Sequence, residues 1–235
     1  MSDYVDLHSH LLPGVDDGMT SLSECLKALR LYENIGFSTI ICTPHQKQYS
    51  LNPSTDSLIE VFNAVCEENP TKIKLHLGAE NYYDDQFLGR YFRRQIPTLG
   101  KSRFFLFELS PTIPVPGLER MLYEINVTGF IPVLAHVERY GWLEKKDIKL
   151  FRENVRICGN LTSVLKSQTP DDRHHKLIKL LKSDYIDFMT TDIHSTDLFP
   201  GIEKAVKWLT KNFGDDTTER LLHSNPMEII NDIHP

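Results

Sequence analysis

The strongest constraint on the fold is a rhythm. Seven short runs rich in apolar and β-branched residues, at 4–10, 37–43, 73–77, 104–109, 131–134, 155–158 and 185–189, alternate with stretches of helical spacing. FSTIICT at 37–43 has the composition of a strand covered on both faces. After the first run, Ser21 and Glu24 form a capping-box pattern, and Leu22, Leu26, Leu29 and Tyr32 follow at helical spacing until Gly36. Further helices are expected from the Asn52-Pro53 opening to about 68, and at about 84–94, 117–126, 143–154, 170–182, 201–212 and 216–223. Such alternation calls for parallel strands joined by right-handed crossovers. A closed or nearly closed β/α barrel is one solution, and an open doubly wound sheet is the other.

The polar residues decide between them. His8 and His10 stand two residues apart, which on a strand turns both imidazoles to one face; the Pro13-Gly14 turn then brings Asp16 and Asp17. His45, Glu80, Glu108, His136, and Asp192 with His194 each fall at the C-terminal end of a different run or just beyond it. In a barrel those ends form one rim, where active sites are built. The expectation is therefore a closed or nearly closed β/α barrel with its site at that rim.

A chain of 235 residues accommodates such a barrel as one domain, spanning 1–235. Twenty-six Lys and Arg against 32 Asp and Glu give a net charge of -6 without a basic run, a poor match for nucleic acid or an anionic membrane. No 18 apolar residues run together and the start resembles no secretion signal, so a cytoplasmic protein without membrane insertion is expected. Cys25, Cys42, Cys66 and Cys158 lie far apart, as reduced and mostly buried thiols do.

Each polar residue has an ordinary explanation by itself: a strand-end histidine usually caps a loop, and a loop glutamate is usually solvated. Together they do not, because gathering Glu80, Glu108 and Asp192 in one place is costly unless cations compensate them. Five histidines (His8, His10, His45, His136, His194) and four carboxylates (Asp17, Glu80, Glu108, Asp192) exceed what one tetrahedral zinc can use. Two or three divalent metals, manganese, iron or zinc, with a bridging carboxylate follow from that count. Metals so held activate water and stabilise a displacement at phosphorus, which points to phosphate-ester hydrolysis. Arg139, three residues after His136, is the candidate to bind phosphate oxygens; the competing reading pairs it with Glu138 or Glu144 on the surface.

HSHLLPGVDDG, TPH, GAENYY, FE, AHVERY and TDIH, in this order over nearly the full length, resemble the polymerase and histidinol phosphatase (PHP) superfamily. Within it they are most similar to the bacterial protein-tyrosine phosphatases of capsule and exopolysaccharide operons. The resemblance implies a distorted seven-stranded barrel and a trinuclear site. It implies His8, His10, Glu80 and Asp192 on one metal, Glu80 bridging to a second held by Glu108 and His136, and Asp17, His45 and His194 on the third. Asp16 is the less favoured of the acidic pair. Arg139 matches the family's phosphate-contacting arginine. The implied substrate is phosphotyrosine in a protein, specifically the cytoplasmic tail of a membrane-bound tyrosine autokinase that controls polysaccharide export. Where those phosphatases carry a second arginine shortly after the Asp-x-His, residues 195–200 read STDLFP, leaving Arg90, Arg93, Arg94 and Lys166 as candidates for that role.

Cysteine-based dephosphorylation is excluded, since it needs an arginine six residues after the thiolate, and Leu31, Gln48, Lys72 and Val164 occupy those positions. Two other readings compete: a small-molecule phosphatase of the same superfamily, acting on a substrate like histidinol phosphate, and a non-catalytic module that binds a phosphorylated partner.

Overall fold

The computed structural model describes residues 2–47 and 54–234. The first strand, β1 (Tyr4–Ser9), leads to α1 (Leu22–Ile35), whose Ser21 side chain accepts from the Glu24 N–H and whose C-terminus is closed by left-handed Gly36. β2 (Phe37–Cys42) runs parallel to β1 and to β4 (Lys74–Leu77), making a three-stranded sheet. A second, six-stranded parallel sheet has the order β3 (His45–Gln46), β5 (Glu80–Tyr82), β6 (Phe104–Glu108), β7 (Ile131–Leu134), β8 (Arg156–Asn160), β9 (Phe188–Thr190).

The second and third expected strands are found whole, and each is followed, just past its expected end, by a further short strand in line with it. Pro44 has no N–H for the ladder, and Gly78 packs so closely that a Cβ there would lie 3.2 Å from Ile41, Leu99 and the Thr98 carbonyl. Pairing carries across the gap: Cys42 matches Leu77 below it and His45 matches Glu80 above. The sheet curls until Ser9 forms a parallel bridge with Ile193, the His10 N–H donating to the Ile193 carbonyl at 3.0 Å. The result is a mixed α/β fold with a curled parallel sheet.

Helices α2 (Thr55–Glu68), α3 (Phe87–Phe92), α4 (Leu118–Val127), α5 (Lys145–Phe151), α6 (Asp171–Leu181) and α7 (Phe199–Phe213) follow the strands. The expected opening of α2 at Asn52-Pro53 lies outside the described residues. The helices expected at 84–94 and 143–154 are shorter than their spacing suggests, the latter ending in a 3-10 turn at Arg152–Asn154. The last expected helix is α8 (Asp215–Glu219), which passes through a π turn (Arg220–Ser224) into α9 (Asn225–Asn231), an element not expected from the sequence. Strand β9 begins three residues later than expected because Asp187 is bound by Arg152 and by the Ile157 N–H instead of opening the strand.

Two apolar layers result. Val5, Leu7, Ile41, Leu106, Val133 and Phe188 fill the inside of the curl, plugged by Ile229 of α9. Leu29, Tyr32, Ile40, Phe105 and Ile157, with Ile202 and Leu209 of α7, join sheet to helices. Inner and outer residues alternate along β6, where Phe104 and Leu106 face in and Phe105 and Phe107 face out. Among the described residues, no helix is long and apolar enough to cross a membrane. All four cysteines are free, three of them buried and Cys66 exposed.

Candidate metal centre

The centre begins at an irregularity in β1. Pairing with β2 matches Asp6 to Ile40 but Ser9 to Cys42, so β1 carries one extra residue between them, a β-bulge. Asp6 therefore faces outward, where Tyr32 of α1 donates to its carboxylate at 2.7 Å, together with the Thr191 N–H at 3.0 Å. Leu7 joins the inner core, and His8 and His10 still share a face. Their Nε2 atoms lie 3.2 Å apart.

Glu80, buried at the start of β5, is the hub. One carboxylate oxygen meets His136 Nε2 at 2.8 Å and His8 Nε2 at 3.3 Å; the other meets His45 Nδ1 at 2.8 Å and His10 Nε2 at 3.5 Å. Burial alone would push the Glu80 carboxyl up; His8, His10, His136 and His45 outweigh it and hold it well below the usual range. Glu108, at the end of β6, lies 3.6 Å from His136 and 3.7 Å from His45, and burial plus the Glu80 charge raise its pKa. Two carboxylates crowd one set of imidazoles.

Asp192 closes the other side. One oxygen lies 3.5 Å from both His8 and His10 and 3.6 Å from His194; the other accepts from Asn160 Nδ2 at 3.1 Å and from the Arg139 guanidinium. Asp17, largely exposed, sits 3.3 Å from His45 Nε2 and 3.5 Å from His194 Nε2. All nine expected donors and Arg139 are thus brought to one place. Both His136 (φ 29°) and Asp192 (φ 51°) hold left-handed backbone conformations, a strain of roughly 1–3 kcal/mol each that non-glycine residues tolerate where a site over-determines them.

The donor chemistry fits divalent metal. His10, Asp17, His45 and His194 each offer an atom within 4.8 Å of the others, as do His8, His10 and Glu80, and His45, Glu80 and Glu108. Imidazole nitrogen and carboxylate oxygen without thiolate suit zinc, manganese or iron.

Other residues organise the centre, and of these the sequence reading weighed only Asp16 as a candidate ligand. Asp16 bonds His10 Nδ1 at 2.7 Å and accepts from the N–H groups of Gly18 and His45. A Cβ on Gly18 would stand 2.1 Å from the His10 carbonyl, which accounts for the glycine of the Asp-Asp-Gly turn. Glu138 is not Arg139's partner; it is buried and accepts from Ser163 and from the Asn160 N–H, while Glu144 pairs with Lys146. Tyr140 lies 3.3 Å from His136 Nδ1 and accepts from the Leu109 N–H. A buried asparagine, glutamate or tyrosine gives no periodic signal, so only Asp16, beside Asp17 in the turn, was legible beforehand.

Of the candidates for a second phosphate-binding cation, Arg90 is bound to Asp84 and to the Tyr82 carbonyl, Arg93 to Gln95 and Lys166 to Asp171. Arg94, exposed after α3, is not among the residues that meet the nine donors.

The sequence profile for capsular polysaccharide synthesis, CpsB/CapC, matches residues 4–231. The chain is 27% identical to the tyrosine-protein phosphatase CpsB of Streptococcus agalactiae serotype V, over 96% of this chain and 98% of that protein. It is 28% identical to CpsB of Streptococcus pneumoniae, over 97% and 98%. Its fold matches, at a TM-score of 0.81 and 21% identity, 98% of this chain and 95% of the other, a chain from the crystal structures of YwqE from Bacillus subtilis and CpsB from Streptococcus pneumoniae, described as metal-dependent tyrosine phosphatases. With the profile covering all but the ends of the sequence, the chain belongs to the CpsB/CapC family of capsular polysaccharide synthesis.

Proposed function

We propose that this chain is a metal-dependent phosphatase of phosphotyrosine in proteins. The observation that carries the reading is Glu80, one buried carboxylate among four imidazoles from three segments of the chain. In support, the relatives named above are tyrosine-protein phosphatases. The two sheets, bridged at Ser9 and Ile193, are best read as one distorted seven-stranded barrel in a single domain, with β2 and β3 counted as one strand and β4 and β5 as another.

His8, His10, Glu80 and Asp192 would hold one metal, Glu80, Glu108 and His136 a second, and Asp17, His45 and His194 a third. Bound there, manganese, iron or zinc supplies an activated water and offsets charge in a displacement at phosphorus. Arg139 binds and orients phosphoryl oxygens, its planar fork matching their geometry. Asp16 orients His10, and Tyr140 orients His136. A tyrosyl phenolate, with a pKa of about 10, leaves more readily than an aliphatic alkoxide and so needs less help from a proton donor. The substrate would be the tyrosine-rich tail of a membrane-bound autokinase, met by a cytoplasmic enzyme.

Protein purified without chelators should contain transition metal and release phosphate from a phosphotyrosyl peptide faster than from histidinol phosphate. Chelation should abolish turnover, and added manganese, iron(II) or zinc should restore it. Turnover that survives complete metal removal would defeat the proposal, and preference for histidinol phosphate would reassign the substrate.

A further inference from the structure

Asn160, buried at the end of β8, bonds on every side of its amide. Its Nδ2 donates to Asp192 at 3.1 Å, and its Oδ1 accepts from the Thr162 N–H at 3.2 Å and the Thr162 hydroxyl at 2.9 Å. A carboxylate at one end and an N–H at the other leave one orientation for the amide. The Asn160 N–H donates to Glu138 at 3.2 Å, and the same Glu138 oxygen accepts from the Ser163 hydroxyl at 2.8 Å. Glu138 belongs to the 3-10 turn Val137–Arg139 that follows β7, while Asp192 lies just past β9. β7, β8 and β9 are neighbours in the sheet. The contacts Glu138 to Asn160, Asn160 to Asp192 and Asp192 to Arg139 therefore close a ring over three strand ends, since Glu138 and Arg139 are successive residues.

The ring settles how Asp192 divides its two oxygens. One lies 3.5 Å from His8 and His10 and 3.6 Å from His194; the other is taken by Asn160 and Arg139. The terminal torsion of an aspartate is broad and two-fold, so packing alone leaves the carboxylate free to swing. The Asn160 amide removes that freedom, because it bonds only the oxygen turned away from the imidazoles. Arg139 depends on the result. Among the described residues its guanidinium forms an ion pair with Asp192 and with no other carboxylate. A long side chain with one charged anchor takes its direction from that anchor.

We propose that Asn160 is a positioning residue for phosphate binding, holding Asp192 so that Arg139 is aimed at the phosphoryl oxygens. The inference rests on the phosphatase reading, but its test separates the two. On metal-loaded full-length protein, Asn160→Ala should weaken binding of inorganic phosphate, read by calorimetry, by about tenfold, as for loss of a hydrogen bond to a charged group. The kcat/KM for a phosphotyrosyl peptide should fall by a similar factor, with metal content unchanged. Asn160→Asp should lose more, because it sets a like charge against Asp192 and competes for Arg139. That variant keeps the acceptor for Thr162 and the N–H for Glu138, so it carries the test should Asn160→Ala fail to fold. Thr162→Val loosens the other end of the amide without touching Asp192 and should bind phosphate as the parent does. On an Arg139→Met background, Asn160→Ala should cause no further loss, since one acts through the other. Phosphate affinity of Asn160→Ala and Asn160→Asp within about twofold of the parent, less than such a hydrogen bond contributes, overturns the assignment. So does a loss that tracks loss of metal, an equal loss in Thr162→Val, or a further loss on the Arg139→Met background. Should the parent not turn over phosphotyrosine at all, the phosphatase reading fails, and phosphate calorimetry still decides the role of Asn160.

Discussion

Asp16 Oδ2 lies 2.7 Å from His10 Nδ1, while Nε2 of the same ring points toward Glu80 and Asp192. A carboxylate on one ring nitrogen fixes the orientation and raises the basicity of the other, a common arrangement behind metal-binding histidines. Burial would lower the His10 pKa, but Asp16, Asp192 and Glu80 raise it well above its ordinary value. Asp16→Ala should therefore weaken metal binding by about 10–100-fold, although Asp16 is not itself an expected ligand. Titration of apo-protein against a competing chelator measures this. Unchanged affinity would show that the turn needs no carboxylate there.

Arg139 should separate binding of metal from binding of phosphate. Its guanidinium is half-buried and touches Asp192; burial would lower its pKa, and the Asp192 charge outweighs that and raises it. Arg139→Met should lower kcat/KM on a phosphotyrosyl peptide by about 10²–10³ with metal content unchanged. Arg139→Lys should restore little, because a point charge does not replace a planar fork. Equal metal loss in both variants would instead make Arg139 a support for Asp192.

The sequence showed the rim more clearly than the sheet. Histidines and carboxylates at successive strand ends are legible because they interrupt apolar runs, and all of them meet. The short strands beyond Pro44 and Gly78 were not, since two or three residues carry too little pattern to register as a strand. Nor was the bulge in β1. Simple alternation puts Asp6 with His8 and His10, whereas the extra residue turns Asp6 to Tyr32 and keeps the imidazoles inside. His8 lies within the bulged stretch, yet its ring and that of His10 still meet.

That outward turn makes Asp6 a structural liability which Tyr32 and Thr191 offset. Tyr32 is buried and donates to Asp6, and burial raises the pKa of both groups. Tyr32→Phe keeps the ring packing against Phe37 and Phe199 but removes the donor. The expected cost is about 1–3 kcal/mol, as for a buried acceptor deprived of a partner. Thermal unfolding should fall by roughly 2–4 °C per kcal/mol for a chain of this size. An unchanged midpoint would mean that Thr191 alone satisfies Asp6.

Lys176 supplies a pH test away from the metals. On α6 its ammonium donates to the Tyr140 carbonyl at 2.5 Å, and burial pushes its pKa from 10.5 down to about 8, against the raising influence of Glu138, Asp147 and Asp172. Between those two values the unfolded chain binds the extra proton and the folded chain does not. Stability contributed by this group therefore rises with pH from about 8 to 10.5 and is flat below. Because the side chain keeps some solvent, the whole change should be of order 1 kcal/mol. Lys176→Met removes the titration without adding charge. Urea unfolding of parent and variant at pH 7 and pH 10 should then show the parent gaining on the variant as pH rises. A constant difference between them would mean that the ammonium is solvated well enough in the folded protein to titrate as it does in the unfolded chain.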